Sequence, residues 1–530
     1  MKKNLKNNGI APGKRKRIAP ADVPKLVKAG RALLSKGQTD ELIRVCSDAL
    51  RQLPGHPDFI RLQFLALIKE KKYSETIRFL QKWAKHPASK TIPTQYIIGY
   101  GYYLIKRYKS AHQHLAEVLA MKPDMPVARL LMSRALSDAG HPIPALEALK
   151  KGPALVCRKP QNTMTYATVL NRLEQYQSAK NVLNNLLKSG SMVVECAYEL
   201  IRLPAETWSP ETCDLVGELL HRPKLTVRQK TLLNFSAGRI ADHQGRYHDA
   251  FSSFAEAKKL STNEFDFDVF GKAVTACTSE SGAPAGRSPA RPKQAPAVTP
   301  LFILGLPRSG KTTLENLLAR RTEFAACGEV SPRMFVDEDI FVGAQEQLPS
   351  NYADRLTNMK STRQDMYTRQ YTEQICEQFF LPETTRYIIN TMPHNFLNIR
   401  TINKIFPSSK FVYVKRNNYD LFTFCYMKNF KSQYNYTRDF DTFIQYYNMF
   451  YEVISHWQNA LSSNFTTVSY EDLVKSPDDI LNQLYEFLDV DISADNAPVA
   501  KAATAGLTDR YIDYWKNYQD LFSHADRPAT

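Results

Sequence analysis

Residues 305–313 read Gly-Leu-Pro-Arg-Ser-Gly-Lys-Thr-Thr, a run that concentrates glycine, hydroxyl and basic residues at the spacing of an anion-binding loop. A short apolar run, Leu301–Leu304, precedes it, and a helical pattern starts at about Lys311. The order strand, glycine loop, helix brings backbone N–H groups and the positive end of a helix dipole to one point. Gly310 lets the backbone wrap closely around a phosphate, while Arg308, Lys311, Thr312 and Thr313 add charge and hydroxyl donors. Gly305 to Thr312 also satisfies the pattern G-x-x-x-x-G-K-[ST].

What carries the phosphate is a separate question. A nucleotide hydrolase or kinase built on such a loop needs a second apolar strand ending in aspartate, to hold Mg²⁺ together with the loop threonine. Here the run 386–390 ends in Asn390, and the run 410–416 ends in Lys415 and Arg416. A strand that delivers arginine suits a second anionic group better than a metal. The metal-dependent reading therefore weakens, and a P-loop kinase or NTPase stands as an alternative.

The elements that position this loop fall in the second part of a chain of 530 residues, long enough for two or three packed units. The stretch Ser279–Pro300 is rich in Pro, Ala, Gly and Ser and has no apolar periodicity, which marks a linker. Upstream the apolar pattern is helical throughout. Thr39, Tyr73, Tyr108, Pro142 and Tyr176 form a ladder with spacings of 34, 35, 34 and 34 residues, and Gly245, Tyr247, Ala250 and Phe254 repeat its phase. Three residues past each ladder position stand Leu42, Thr76, Ala111, Ala145 and Ala179, mostly small, where two antiparallel helices approach. Val193–Lys224 fits this register poorly. The period is that of the tetratricopeptide repeat, whose stacked helix pairs present a concave surface to peptides or partner proteins.

The expected organisation is a basic tail over 1–20, helical repeats over 21–277, a linker over 278–299, an α/β domain with a parallel sheet over 300–522 and a tail over 523–530. With 43% hydrophobic and 23% charged residues the chain reads as globular. Its formal charge of +17 includes seven basic residues in the first 18, so no broad nucleic-acid-binding face is expected beyond tail contacts. The eight cysteines are scattered without a CxxC pair, and no apolar run of about 18 residues occurs. A cytoplasmic protein, not integral to a membrane, is the expectation.

Beyond the loop, an ordered set of motifs carries a resemblance. PRSG with its threonines, Cys327-Gly328-Glu329, the run Asn390 to Phe396 (NTMPHNF), FPSSKFVYVKRNNYD, VSYEDLV and WKNY follow one another between residues 307 and 518, within a resemblance that covers essentially residues 230–520. Together they resemble the sulfotransferases fused to tetratricopeptide repeats and the related tyrosylprotein sulfotransferases. The resemblance implies transfer of a sulfuryl group from 3′-phosphoadenosine 5′-phosphosulfate (PAPS) to an acceptor hydroxyl, such as a protein tyrosine, without a metal. By the same resemblance Arg308, Ser309, Gly310, Lys311, Thr312 and Thr313 hold the 5′-phosphosulfate, Glu329 is the catalytic base, Arg416 binds the 3′-phosphate and Tyr470 lines the nucleotide pocket. The repeats are expected to bind the acceptor or a partner protein.

Three positions depart from the family. Thr391 stands where a lysine is frequent, Phe424 where a serine assists the 3′-phosphate, and Tyr514 where a basic residue precedes the late tryptophan. Lys311 in turn replaces a loop threonine, and it is expected to supply the charge missing at Thr391. The departures also leave open a catalytically silent interaction protein as the alternative from another class. His394 and His456 are expected to be satisfied structural histidines.

Overall fold

The computed structural model describes residues 18–150, 159–260, 264–279, 298–332, 340–349, 351–430, 432–491 and 507–522. The N-terminal tail up to residue 17, the linker from 280 to 297 and residues 523–530 lie outside them.

The first part is a series of helix pairs: α1 (Val23–Lys36) with α2 (Thr39–Gln52), α3 (Pro57–Lys69) with α4 (Tyr73–Lys85), α5 (Ile92–Leu104) with α6 (Tyr108–Met121), and α7 (Pro126–Asp138) with α8 (Pro142–Lys150). There follow α9 (Pro160–Arg172) with α10 (Tyr176–Lys188), α11 (Val193–Arg202) with α12 (Pro210–Leu220), α13 (Val227–His243) with α14 (Tyr247–Lys259), and α15 (Phe267–Thr278). Each ladder residue is the first residue of the second helix of its pair. Two positions earlier the backbone is left-handed every time: Gly37, Lys71, Lys106, Gly140, Glu174 and Gly245 have φ of 75, 59, 61, 84, 58 and 71°. That turn reverses the chain, and a non-glycine residue held there costs roughly 1 kcal/mol. Leu42, Thr76, Ala111, Ala145, Ala179 and Ala250 are fully buried, where the paired helices meet. The out-of-register stretch is α11 and α12, joined through a 3₁₀ turn at Ala205–Thr207 in place of the tight turn.

The second part is a five-stranded, wholly parallel sheet of β1 (Thr299–Leu304), β2 (Phe324–Ala326), β3 (Tyr387–Asn390), β4 (Lys410–Lys415) and β5 (Phe465–Ser469), in the spatial order β2-β3-β1-β4-β5. Its helices are α16 (Lys311–Leu318), α17 (Tyr352–Thr357), α18 (Ser361–Gln378), α19 (Ile399–Ile405), α20 (Asn418–Tyr426), α21 (Phe440–Ala460), α22 (Tyr470–Lys475) and α23 (Pro477–Phe487). Because strand side chains alternate, Leu301 and Ile303 of β1 pack with Leu314, Leu473 and Leu481 on one face, while Phe302 and Leu304 join Phe396, Phe411 and Phe450 on the other.

That second core does not end at the sheet. It runs on into the repeats without a break, through Phe270, Phe254 and Tyr108 to Leu80 and Leu42. Phe270 of α15 stacks on Tyr446 of α21 at 4.4 Å, and Trp457 Nε1 donates to Cys277 Sγ at 3.4 Å. Tyr108 meets Phe379 edge-on at 5.3 Å, and Arg107 donates to Gln374 of α18.

Candidate active site

In a parallel sheet whose order reverses beside its first strand, the crevice opens at the strand C-termini. Residues following β1, β4 and β5 therefore stand in a row. The loop 305–310 follows β1, Arg416 follows β4, and Tyr470 follows β5. Arg416 is buried, and Nη1 donates to Arg308 O at 2.8 Å while Nη2 donates to Tyr511 O at 2.7 Å. Its guanidinium carbon lies 4.2 Å from the Tyr470 ring centre and 4.7 Å from that of Phe424, a cation held between two π faces.

The loop leaves room for nothing else. Gly310 caps α16 at φ 102°, and a Cβ there would lie 2.3 Å from Tyr470 Cδ2, so only glycine fits. Arg308 is also left-handed, at φ 72°, with an exposed side chain; such strain clusters where a backbone is shaped for a ligand. Thr312 is exposed and Thr313 half-buried. Ser309 Oγ and Arg416 Nε are buried without a hydrogen-bond partner among the described residues. Buried polar atoms are normally paired, so two unpartnered ones, one in the loop and one on the neighbouring Arg416, fit a polyanion that supplies acceptors to both.

Lys311 turns into the loop: Nζ donates to Gly305 O at 2.7 Å and to Leu306 O at 3.0 Å. Burial lowers its pKa to about 8, against the raising effect of Glu329, Cys425 and Glu315. The group that meets Thr391 is Glu315, which sequence reasoning had not singled out. Its Oε1 accepts from Gly328 N at 2.8 Å and its Oε2 from Thr391 Oγ1 at 3.4 Å, so one carboxylate ties the loop after β2 to the end of β3. Burial raises its pKa to about 7. Glu329, the next residue after Gly328, is exposed at the mouth. At the end of β3, Asn390 donates to Val330 O and Tyr371 Oη and accepts from Asn395, a structural knot in the place where a metal-binding aspartate would stand.

Two of the three departures meet in space. Phe424 and Tyr514 stack with ring centres 5.3 Å apart, and Phe424 in turn faces Arg416. Beside them Thr423 Oγ1 is buried without a partner among the described residues. His394 differs from the expectation of a satisfied structural histidine: it stacks on Tyr434 at 5.7 Å, but Nε2 is buried and unpaired among the described residues. Burial, helped by Lys311, lowers its pKa to about 4, so the ring is neutral at pH 7. Among the described residues no cluster of three or more His, Cys, Asp or Glu could hold a metal ion, and no helix is long and apolar enough to cross a membrane.

Among known families, the model described as the sulfotransferase family matches residues 300–494. A curated relative, an uncharacterized protein of Aquifex aeolicus, is 20% identical over a 487-residue match that covers 88% of this chain but only 62% of that protein. Among solved structures, a tetratricopeptide repeat protein from Parabacteroides merdae is similar over 46% of this chain and 95% of its own, at 13% identity and a TM-score of 0.33. The sulfotransferase domain of the Synechococcus PCC 7002 olefin synthase is similar over 45% of this chain and 99% of its own, at 19% identity and a TM-score of 0.26. A sulfotransferase from Mycobacterium avium covers 60% of this chain and 88% of its own, at 12% identity and a TM-score of 0.22.

Proposed function

We propose that the sulfotransferase-family domain of residues 300–494 transfers a sulfuryl group from PAPS to an acceptor hydroxyl, with the helical repeats presenting the acceptor or a partner protein. The observation that carries this reading is the braced Arg416 beside the glycine loop, with Ser309 Oγ and Arg416 Nε buried and unpartnered among the described residues. Two anion sites, one on the loop and one on Arg416, suit a donor with phosphates at two positions better than ATP.

PAPS supplies an activated sulfuryl group whose departure leaves a phosphate. The chain's part is positioning and electrostatics, since such transfers gain most from alignment and from donors on anionic oxygens. Backbone N–H groups of Gly310 to Thr313 at the start of α16 hold the 5′ end, with the Ser309 hydroxyl beside them. Lys311 spends two of its three N–H donors on Gly305 and Leu306 carbonyls, which leaves one for the transferring group. Glu329 takes the proton of the attacking hydroxyl, its position set through Gly328 by Glu315. Tyr470 packs against both the loop and Arg416.

For the acceptor, the reading takes a protein tyrosine, in keeping with the cations grouped with Arg308. Lys428 is brought down to about 8, first by burial and then by Arg308, Arg239 and Arg202, the last two from repeat helices. Such a rim attracts a polypeptide with negative charge near its hydroxyl. A cytoplasmic setting belongs to the same reading, in keeping with the free cysteines.

Titration calorimetry with 3′-phosphoadenosine 5′-phosphate tests the proposal. Micromolar binding lost in Arg416→Ala supports it. Binding of ATP with Mg²⁺ in its place points to a nucleotide kinase or NTPase, and binding of neither nucleotide leaves a silent interaction protein.

A further inference from the structure

The C-terminal segment 507–522 crosses from the sheet to the repeats, and each of its ties has a defined partner. Tyr511 O accepts from Arg416 Nη2 at 2.7 Å. Asp513 N and Trp515 N donate to the two oxygens of buried Asp420 on α20, at 2.8 and 2.9 Å. Two side chains of the same segment reach the repeats: Tyr514 Oη and Tyr518 Oη both donate to Asp242 Oδ1, at 2.9 and 2.5 Å. Asp242 lies near the end of α13, in the repeats. Tyr247, the first residue of α14, packs edge-on against both tyrosines at 6.4 and 5.3 Å.

We propose that Asp242 is a positioning residue for the donor site: from the repeat array it anchors the strap that orients Arg416. The path is short. Asp242 fixes Tyr514, Tyr514 stacks on Phe424, and Phe424 faces the Arg416 guanidinium, while three residues before Tyr514 the Tyr511 carbonyl holds Nη2. Hydrogen bonds to a carboxylate are among the stronger ones, and this carboxylate takes two on one oxygen. Beside Tyr514, Asp513 has a left-handed backbone at φ 59° with its N–H on Asp420, a conformation that persists only where its surroundings impose it. Arginine recognises a phosphate through a planar fork, so its affinity depends on how that fork is aimed. The two departures from the family at Phe424 and Tyr514 become parts of one device: an aromatic brace, tied to the repeats, takes over the orienting task of a serine and a basic residue.

The inference rests on the proposed donor, and the test separates the two. The full chain is titrated with 3′-phosphoadenosine 5′-phosphate and with adenosine 5′-phosphate, which lacks the group Arg416 would hold. Asp242→Ala is expected to weaken the first about tenfold and the second less than about twofold. Asp242→Asn, which keeps an acceptor oxygen, recovers most of the loss, and Tyr514→Phe, which removes one hydroxyl from an intact fold, weakens only the bisphosphate, by roughly threefold. Equal losses for both nucleotides, or none for either, overturn the tether. If the unaltered chain binds no 3′-phosphoadenosine 5′-phosphate, the donor reading falls and the tether with it.

Discussion

Replacing Glu315 by glutamine should make the protein more stable in mild alkali and leave it unchanged in acid. Glu315 is 4% exposed, and burial lifts its carboxyl from an ordinary 4.5 to about 7. A carboxyl raised in this way binds its proton more tightly in the folded than in the unfolded chain. Its effect on stability is therefore absent below pH 4.5, grows as a penalty between 4.5 and about 7, and is complete above that. At about 1.4 kcal/mol for each pH unit between the two values, the full penalty is roughly 3 kcal/mol. Glutamine carries no charge to bury, keeps an oxygen for the Gly328 N–H and stays within reach of Thr391. Urea unfolding followed by tryptophan fluorescence at pH 5 and pH 8 measures the difference. The variant should gain roughly 3 kcal/mol over the parent at pH 8 and less than about 1 kcal/mol at pH 5. Groups such as His394 titrate in both proteins and cancel. A pH-independent difference, or a larger gain at pH 5, would refute the assignment of the penalty to this carboxylate.

Other substitutions probe the loop and its neighbours. Gly310→Ala forces a methyl to within 2.3 Å of Tyr470 at a φ of 102°; a loss of about 2 kcal/mol or more in urea unfolding is expected, with nucleotide binding abolished in calorimetry. Lys311→Ala should retain 3′-phosphoadenosine 5′-phosphate but lose about tenfold or more in sulfuryl transfer, read with a radiolabelled donor; undiminished transfer would remove Lys311 from the chemistry. His394 contributes with the opposite sign to Glu315. Its folded pKa of about 4 lies below the ordinary 6.5, so stability is lost as pH falls from 6.5 towards 4, and His394→Gln should flatten that part of the acid-unfolding curve.

The loop, the repeats and the strand that delivers Arg416 were legible because each depends on local order: glycine spacing, a period near 34, an apolar run with a basic end. Glu315 was not. Within its helical pattern it has the look of a solvent-facing carboxylate, and only the arrival of Gly328 and Thr391 from two strands buries it. The left-handed turns at Lys71, Lys106 and Glu174 were equally hidden, since residues of that kind give no warning of a positive φ; the ladder residue two positions on was the better signal. Phe424 and Tyr514 read as two separate losses of polar groups because 90 residues divide them in the chain, and their stacking reveals one exchange of hydrogen bonding for aromatic bracing. A neutral, unpaired His394 likewise follows from what surrounds it, and not from its neighbours in sequence.

The core shared by the sheet and the repeats bears on how the molecule comes apart. A proline-rich spacer invites cutting the gene there, but such a cut would strip water-excluding cover from Tyr446, Phe396 and Trp457 on one side and from Phe270 and Cys277 on the other. Either fragment would present an apolar face made to be covered, which favours aggregation. Heating the intact chain should melt the last repeats and the sheet in a single step, so the unit of cooperativity straddles the linker.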